Sequence, residues 1–243
     1  MFRNIKRNLA VFILTIISFS ALIPTESFAQ RESIKDINGN AVEYFKEYIM
    51  VPDFDTNRGL TFESYNNWDY VLPQNYSEAN TFGGSAIIFG TQQHPVLGID
   101  PGTTVKYGDE IYIKMLNSNH QNYRYFSSSN GYLRDNVWLD TKSNATKYTV
   151  IPGYNRDGAV GFMESGVELD VNIWTRRSFW NEIKQNYRTI KQPKILFLDN
   201  ARDKFFGSRR ITDKHWLKSG VAGVNPIGNN VMNKSSFILI PKE

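Results

Sequence analysis

Two stretches of this chain, about 80 residues apart, repeat each other in three blocks. The spacing of matching residues is kept within each block, and only the segments between the blocks differ in length. The first copy comprises residues 124–128, 135–139 and 144–152, and the second copy comprises residues 204–208, 213–217 and 233–241. Length differences confined to such gaps are typical of surface loops between fixed strands. An internal repeat limits the fold more than any single motif, and this one indicates a duplicated structural unit.

The pattern inside and around the repeated blocks is that of short β-strands. From residue 85 onward, runs of β-branched and aromatic residues are bounded by Gly, Pro or Asp, which is typical of strands separated by turns. The clearest runs are residues 86–89, 110–114, 122–127, 137–139 and 147–151. Only residues 180–189 have a helical pattern in this part of the chain. The sequence therefore predicts an all-β fold of four-stranded units, which must close around a common core because one unit cannot bury its apolar face alone.

The first 29 residues have the order of a secretory signal peptide. Basic residues precede an apolar run at 9–23, and Ser27-Phe28-Ala29 forms a small-x-small cleavage site. The apolar run is shorter than the roughly 20 residues that a spanning helix needs. We therefore expect cleavage after Ala29, with an uncleaved anchor as the alternative. The mature protein is then expected to be secreted, extracellular or periplasmic, with no stable membrane span.

The mature chain is predicted to have two parts, an N-terminal helix-and-loop element at residues 30–84 and a main β-domain at residues 85–243. Val42, Phe45 and Ile49 recur at helical spacing. This spacing predicts one short amphipathic helix that ends near Pro52. The rest of the element is polar and rich in aromatic residues, which indicates loops and short strands packed on the main domain.

The composition excludes several classes of site. The chain contains no cysteine, so it has no disulfide bond, thiol nucleophile or thiolate metal site. A secreted domain of this size without cysteine favours a bacterial origin. The formal net charge is +4, of which about +2 remains once the signal peptide is removed. No concentrated basic stripe accompanies this mild balance, so we expect no nucleic-acid partner.

Three short motifs before and within the first copy have the pattern of a known fold. Tyr107-Gly108-Asp109, residues 124–127 and Gly131-Tyr132-Leu133 resemble those of β-trefoil domains in lectins, fascin-like proteins and the receptor-binding parts of toxins. The resemblance covers residues 85–243 and concerns the pattern rather than a diagnostic motif. It implies a β-trefoil-like barrel of repeated four-stranded units, preceded by the small N-terminal element with its one short helix.

A β-trefoil needs three units, and the two clear copies supply only two of them. The middle unit would have to be a degenerate one over residues 159–188, which lack the Asp-x-x-Trp-Leu block and the closing proline strand. A two-lobed β-sandwich is the alternative architecture. In either case the repeat predicts that Phe126 and Phe206 occupy equivalent positions.

The repeated Asp-x-x-Trp-Leu block supplies the candidate ligand-binding residues. Sugars are bound by an aromatic ring that stacks on C–H groups, beside carboxylates and amides that bond to hydroxyls. The predicted carbohydrate-binding residues, which include a tyrosine in the Gly-Tyr-Leu turn, are Tyr132, Asp135, Asn136, Trp138, Asp213 and Trp216. The competing interpretation places both tryptophans in the core and gives each aspartate the role of holding the preceding turn.

No motif for catalysis, a metal or a cofactor accompanies these residues. Residues 53–59 resemble the start of a calcium loop, but Arg58 stands where the sharp-turn glycine belongs. We therefore predict a polar turn there. The three histidines lack paired metal spacing, and nothing pairs any two of Glu164, Glu168 and Glu182 as in a glycosidase. We expect no metal and no cofactor, and catalysis has no positive support.

Together these features favour a secreted, non-catalytic binding module. Its expected ligand is a glycan or a host cell-surface receptor, and it would serve as a component of a toxin or adhesin, with a partner toxin subunit as a further candidate. Two alternatives stay open. One is a membrane-active, pore-forming toxin, which needs a long alternating segment that is not evident here. The other is a secreted glycan-degrading enzyme.

Overall fold

The structure is a computed structural model, and it describes residues 31–242 with several gaps. The gaps are residue 66 and residues 74–82, 92–101, 129–133, 166–175, 178–179, 182–193, 199–202, 205–210, 213–215, 222–231 and 233. The described residues belong to one compact unit, Arg31–Glu243. No helix within these ranges is both long enough and apolar enough to cross a bilayer. The predicted signal peptide lies outside the described residues and stays a prediction.

The described residues are organised almost entirely as antiparallel β-structure, as the strand pattern predicts. The strands are β1 (Tyr48–Pro52), β2 (Leu60–Tyr65), β3 (Trp68–Pro73), β4 (Ala86–Gly90), β5 (Glu110–Met115), β6 (Tyr125–Ser127), β7 (Arg134–Asn136), β8 (Trp138–Asp140), β9 (Tyr148–Pro152), β10 (Val160–Glu164), β11 (Lys194–Leu198), β12 (Asp203–Lys204), β13 (Ile211–Thr212), β14 (Leu217–Val221) and β15 (Phe237–Pro241). A 3₁₀ helix covers Lys142–Asn144. Residues 176–177 and 180–181 are helical, and residues 182–189 of the predicted helix lie outside the described residues.

Six of these strands close into a barrel. The hydrogen-bonded order is β1–β4–β5–β9–β10–β15 and back to β1, with every pair antiparallel. Closure leaves no free sheet edge in the ring. Because successive side chains of a strand point to opposite faces, every second residue of each strand faces the barrel interior.

The pairing register of the barrel repeats three times. Tyr48 pairs with Ile87, Ile111 pairs with Tyr148, and Val160 pairs with Phe237. These six side chains are at most 1% exposed. The side chains two positions further along the same strands are equally buried and are those of Met50, Phe89, Ile113, Val150, Phe162 and Leu239. The barrel interior therefore holds two sets of six side chains with pseudo-threefold symmetry.

Three hairpins cap one end of the barrel. They are β2–β3, β6–β8 and β11–β14, and each connects two barrel strands along the chain. The hairpins meet where the backbone N–H of Val71 donates to the carbonyl of Val137, whose own N–H donates to the carbonyl of Leu217. These three side chains are fully buried, as are Leu60, Phe126 and Leu196 on the partner strands. Each unit is thus a barrel strand, a capping hairpin and a second barrel strand.

The three units are not the ones that the sequence predicts. They span residues 48–90, 110–152 and 160–241, so the first unit lies largely within the predicted N-terminal element. Residues 159–188 do not form a degenerate middle unit, because β10 is the opening strand of the third unit. The alternative of a two-lobed sandwich is wrong, since one closed ring of strands joins all three units. The predicted division at residue 84 falls between strands of a single sheet.

The predicted helix ending near Pro52 is wrong. Glu43 forms a β-bridge with Thr104, and Tyr48–Pro52 is barrel strand β1. The buried side chains of this segment are Val42, Tyr44, Tyr48 and Met50, which follow the period of two that is typical of extended chain. Phe45 and Ile49, which complete the helical spacing, are only half-buried, and Phe45 has a positive φ of 64°.

The repeat is confirmed in its closing strand and wrong in its other two blocks. Tyr148–Pro152 and Phe237–Pro241 occupy equivalent barrel positions, residue for residue. In the capping hairpins, however, Leu217 corresponds to Val137 rather than to Leu139, so the Trp-Leu blocks are two positions out of register. The counterpart of Phe126 is Leu196, because Tyr125 and Ile195 pair with equivalent barrel residues. Phe206 lies outside the described residues.

Residues 31–47 close the opposite end of the barrel together with residues 102–107. Ile34 donates its N–H to Val105, and Ile37 donates to Leu239 of the last strand. The side chains of Ile34 and Val42 are completely buried. This segment, the N-terminal cap, is therefore part of the core rather than a projecting arm.

Candidate functional site

Of the six predicted binding residues, the structure describes four, namely Asp135, Asn136, Trp138 and Trp216. Trp216 is only 2% exposed, so its ring offers no surface for stacking. Trp138 is half-buried on β8, and Asn136 is half-buried on β7. The backbone of Asp135 pairs with Ser219. Tyr132 and Asp213 lie outside the described residues. The two tryptophans do not form the symmetric pair of ligand platforms that the repeat predicts.

Three aromatic side chains form a patch on the hairpin cap. Trp68 and Tyr123 are each 38% exposed, and their ring centroids are 5.9 Å apart in an edge-to-face arrangement. Trp138 completes the patch, with its ring 6.2 Å from that of Trp68 and also edge-on. Edge-to-face contacts of this kind stabilise aromatic pairs beyond the area they bury. We call Trp68, Tyr123 and Trp138 the aromatic patch.

Local chain geometry places Trp68 at the surface. Asn67 has φ of 70°, a left-handed conformation that asparagine tolerates in tight turns. The turn starts β3, whose alternation then exposes Trp68 and buries Asp69 and Val71. Tyr70 packs edge-on against the buried ring of Trp216 at 5.8 Å, which fixes this strand against the third unit.

A buried carboxylate fixes the loop that carries Tyr123. Asp69 is fully buried, and its two oxygens accept hydrogen bonds from the backbone N–H of Asn119 at 2.7 Å and from the Nδ2 of the same residue at 2.8 Å. Charge-assisted bonds of this kind are about twice as strong as neutral ones. The strand that presents Trp68 and the loop that presents Tyr123 are therefore tied together directly behind the patch.

A second carboxylate holds the indole of Trp138. The Nε1 of Trp138 donates to Oδ2 of Asp140 at 3.2 Å, and Asp140 is 4% exposed. The other oxygen of Asp140 accepts from the N–H of Thr141 at 2.7 Å and from Nδ2 of Asn144 at 3.3 Å. The indole is thus held in one orientation. The patch as a whole is organised in advance of any ligand, which lowers the entropy cost of binding.

Sequence reasoning missed two of the three residues in the patch. Trp68 lies in the region predicted as loops and short strands packed on the main domain, and Tyr123 lies in the run 122–127 that was predicted as a strand. A signal was present in the sequence, because Asn66-Asn67 stands between the aromatic residues Tyr65 and Trp68 and asparagine favours tight turns. Burial cannot be read from composition alone, so nothing in the sequence distinguished exposed Trp68 from buried Trp216.

The acidic turn at residues 53–59 is neutralised by arginines. Asp55 accepts a hydrogen bond from Nε of Arg58 at 2.6 Å, and Asp53 lies 2.7 Å from Nε of Arg156. These contacts agree with the predicted polar turn. In the described part of the chain, no group of three or more His, Asp or Glu residues is arranged to hold a metal ion.

No family model matches the chain, and no curated protein is similar to it in sequence. Solved structures do match. The ligand-binding domain of botulinum neurotoxin serotype D in complex with N-acetylneuraminic acid is 12% identical, with a TM-score of 0.59, over 89% of this chain and 46% of that one. The binding domain of botulinum neurotoxin DC in complex with SialylT is 15% identical, with a TM-score of 0.57, over 87% and 47%. Trypsin inhibitor 1 from Senna obtusifolia is 8% identical, with a TM-score of 0.54, over 87% and 99%.

The fold is β-trefoil-like. The resemblance that the sequence motifs indicate is thereby confirmed at the level of the fold. The chain spans less than half the length of the botulinum neurotoxin domains that it matches. A toxin binding domain and a trypsin inhibitor with one fold also show that this architecture carries unrelated functions, so function must be argued from the site.

Proposed function

We propose that this protein is a secreted, non-catalytic module that binds glycans through the aromatic patch. One observation carries the proposal. In the described part of the chain four large hydrophobic side chains are exposed, and two of them, Trp68 and Tyr123, are in direct contact with each other. Isolated exposed apolar residues are normal on protein surfaces, whereas adjoining ones mark interaction sites.

The chemistry of the patch suits a sugar. Aromatic rings pack against the C–H groups of a pyranose ring, and nearby polar groups bond to its hydroxyls. The loop beside Tyr123 exposes His120, Gln121 and Asn122, which offer imidazole and amide groups of both hydrogen-bonding kinds. Two of the structures with the same fold are complexes with N-acetylneuraminic acid and with SialylT, which supports glycans as the first ligand class to test.

Binding of the purified protein to a glycan array tests the proposal, with Trp68→Ala as the first variant. We expect the parent to retain at least one glycan and the variant to bind it about tenfold more weakly or worse, as at other aromatic hot spots. Phe54→Ala is the matched control, because Phe54 is 45% exposed and lies outside the patch. No bound glycan, or equal binding by Trp68→Ala and the parent, would contradict the proposal.

The same samples distinguish the two alternatives that the sequence leaves open. Leakage of lipid vesicles on addition of the purified protein would favour the membrane-active toxin. Release of sugars from a polysaccharide would favour the enzyme. A module that works within a toxin or adhesin, as proposed, would bind glycans without either activity.

A further inference from the structure

A polar cleft opens where the second and third units meet. Its volume is about 390 Å³, within the range of small-molecule sites. The residues that line it, all polar except one alanine, are Glu110, Ser128, Asn144, Ala145, Thr146, Lys147, Glu164 and Ser165. Asn144 also donates to the carboxylate that holds the Trp138 indole, so the cleft and the aromatic patch share one side chain.

The carboxylate of Glu164 forms the inner wall of the cleft. Its side chain is 12% exposed. Oε1 accepts a hydrogen bond from Oγ of Ser128 at 2.5 Å and another from Oγ of Ser219. Oε2 lies 3.9 Å from Nζ of Lys194. The charge is therefore compensated within the protein, while one edge of the group faces the cleft.

The threefold register shows that the barrel does not need a carboxylate at this position. The residues equivalent to Glu164 in the other two units are Pro52 and Met115, both buried. Burying a carboxylate costs free energy that an apolar side chain at the same place avoids. Since two of three equivalent positions are apolar, packing does not explain the charged residue at the third.

The residue paired with Glu164 across the sheet departs from the symmetry in the same way. Tyr148 pairs with Glu164 and is equivalent to Ile87 and Phe237. Its hydroxyl is fully buried and makes no hydrogen bond of good geometry to any of the described residues, and a buried donor left in this state costs about 1–3 kcal/mol. Burial, followed by the charge of Glu164, raises the pKa of Tyr148, so the phenol stays a neutral donor. It borders the hydroxyls of Ser128 and Thr146 at the cleft wall.

We propose that this cleft binds a neutral monosaccharide unit, whose hydroxyls bond to Glu164, Ser128 and Thr146. Sugar hydroxyls both donate and accept, which matches a lining of carboxylates, hydroxyls and an amide. Tyr148 acts as a positioning residue, because its hydroxyl can donate to Ser128 or Thr146 when these turn toward the ligand. The inference rests on the proposed glycan recognition and adds a second contact region to it.

The charges at the cleft favour a neutral sugar over an acidic one. The carboxylates of Glu110 and Glu164 are matched by Lys147 in the lining and by Lys194, whose Nζ lies 3.9 Å from Oε2 of Glu164. These four residues therefore leave no excess of positive charge to attract the carboxylate of an acidic sugar. The cleft thus differs in preference from a site for sialic acid.

Titration of the isotope-labelled protein with galactose, mannose and N-acetylneuraminic acid, followed by amide NMR, tests the inference. We expect a neutral sugar at millimolar concentration to shift the signals of Ser128, Thr146 and Ser165, and N-acetylneuraminic acid to leave them in place. Glu164→Gln should weaken binding about tenfold or more, because it removes a charged acceptor of hydrogen bonds.

Tyr148→Phe separates a role in binding from a role in folding. The change removes only the unpaired hydroxyl, so the melting temperature should stay or rise while the affinity falls several-fold. A merely structural hydroxyl would leave the affinity unchanged, and this result would overturn the inference. The variant also decides the matter if Glu164→Gln fails to fold.

Trp68→Ala distinguishes failure of the cleft from failure of the aromatic patch. It should abolish array binding at the patch and leave the shifts at Ser128 and Thr146 intact. If the NMR shifts at Ser128 and Thr146 vanished in this variant, the cleft would not be a contact region separate from the aromatic patch. The inference would also be overturned if no neutral sugar shifted the cleft signals, or if N-acetylneuraminic acid bound there more tightly than the neutral sugars.

Discussion

At the scale of single residues, buried tyrosines link this fold to pH. Tyr107 is 9% exposed in the barrel end closed by the N-terminal cap, and burial, followed by the charges of Glu32 and Asp157, raises its pKa to about 12. The folded protein thus keeps a proton that the unfolded chain loses near the ordinary pKa of 10. The resulting stability is complete below pH 10 and is lost as the pH rises towards 12.

Tyr107→Phe removes this titration and is therefore expected to flatten the alkaline loss of stability. Between pH 10 and 12 the free energy of unfolding of the parent should fall by about 2 kcal/mol more than that of the variant. Urea denaturation at several pH values measures the difference. At pH 8 the two proteins should differ only by a constant offset, and parallel curves up to pH 12 would contradict the assignment.

Trp138 and Trp216 show how much of the candidate site the sequence could predict. Trp138 was identified as a candidate from its block and does belong to the aromatic patch. Trp216 has the same local sequence, yet the third hairpin buries its ring against Tyr70 of the first unit. Burial of this kind depends on residues more than a hundred positions away, which no local motif records.

At the scale of elements, Gly59 and Gly84 allow the two chain segments at the base of the first hairpin to approach each other closely. A Cβ on Gly59 would lie 2.6 Å from the carbonyl oxygen of Gly83 and 2.8 Å from the Cα of Gly84. The N–H of Gly59 also donates to that carbonyl at 2.7 Å. Backbone thus packs on backbone here, and neither atom can move away without shifting a strand.

Gly59→Ala is accordingly expected to destabilise the protein by about 1–3 kcal/mol, the usual cost of overpacking. Gly90→Ala is the matched control, because its Cβ would meet only the Phe45 ring at an ordinary 3.6 Å. Midpoints of urea denaturation measure both changes. The close approach of the two chain segments would be refuted if both variants unfolded at the same midpoint.

Some strands could be predicted from the sequence and others could not. The closing strands β9 and β15 keep both their apolar pattern and a terminal proline, so the repeat was visible there. The equivalent strand β4 ends in glycine instead and carried no such mark. Strand β1 was mistaken for part of a helix, because the apolar residues Phe45 and Ile49 complete a helical spacing although the chain buries Tyr48 and Met50 instead.

At the scale of the whole molecule, the threefold barrel constrains the volume of its interior side chains more than their residue type. Three equivalent positions of the opening strands face the barrel interior, and they hold a tyrosine, an isoleucine and a valine, namely Tyr48, Ile111 and Val160. Any apolar side chain of suitable size fills such a position. Sequence similarity between the units therefore fades while the architecture persists. This explains why an all-β, repeated fold was predictable and why the boundaries of the units were not.

Two isoleucines test whether the N-terminal cap belongs to the cooperative core. Ile34 is completely buried at the barrel end, whereas Ile37, three residues later, is 53% exposed. Ile34→Ala is expected to lower the free energy of unfolding by about 2–5 kcal/mol, a large share of the 5–15 typical of whole domains. Ile37→Ala should change it by less than about 0.5 kcal/mol and should leave its backbone bond to Leu239 in place.

The form of the unfolding transition adds a second criterion. If the cap and the barrel unfold as one unit, Ile34→Ala shifts a single transition that tryptophan fluorescence and circular dichroism report alike. Since Ile34 packs against a barrel end and the tryptophans of the aromatic patch lie on the hairpin cap at the other, coincident shifts show coupling across the whole barrel. A variant that leaves the fluorescence transition unmoved would show instead that the cap opens independently, as a local unit with its own lower stability.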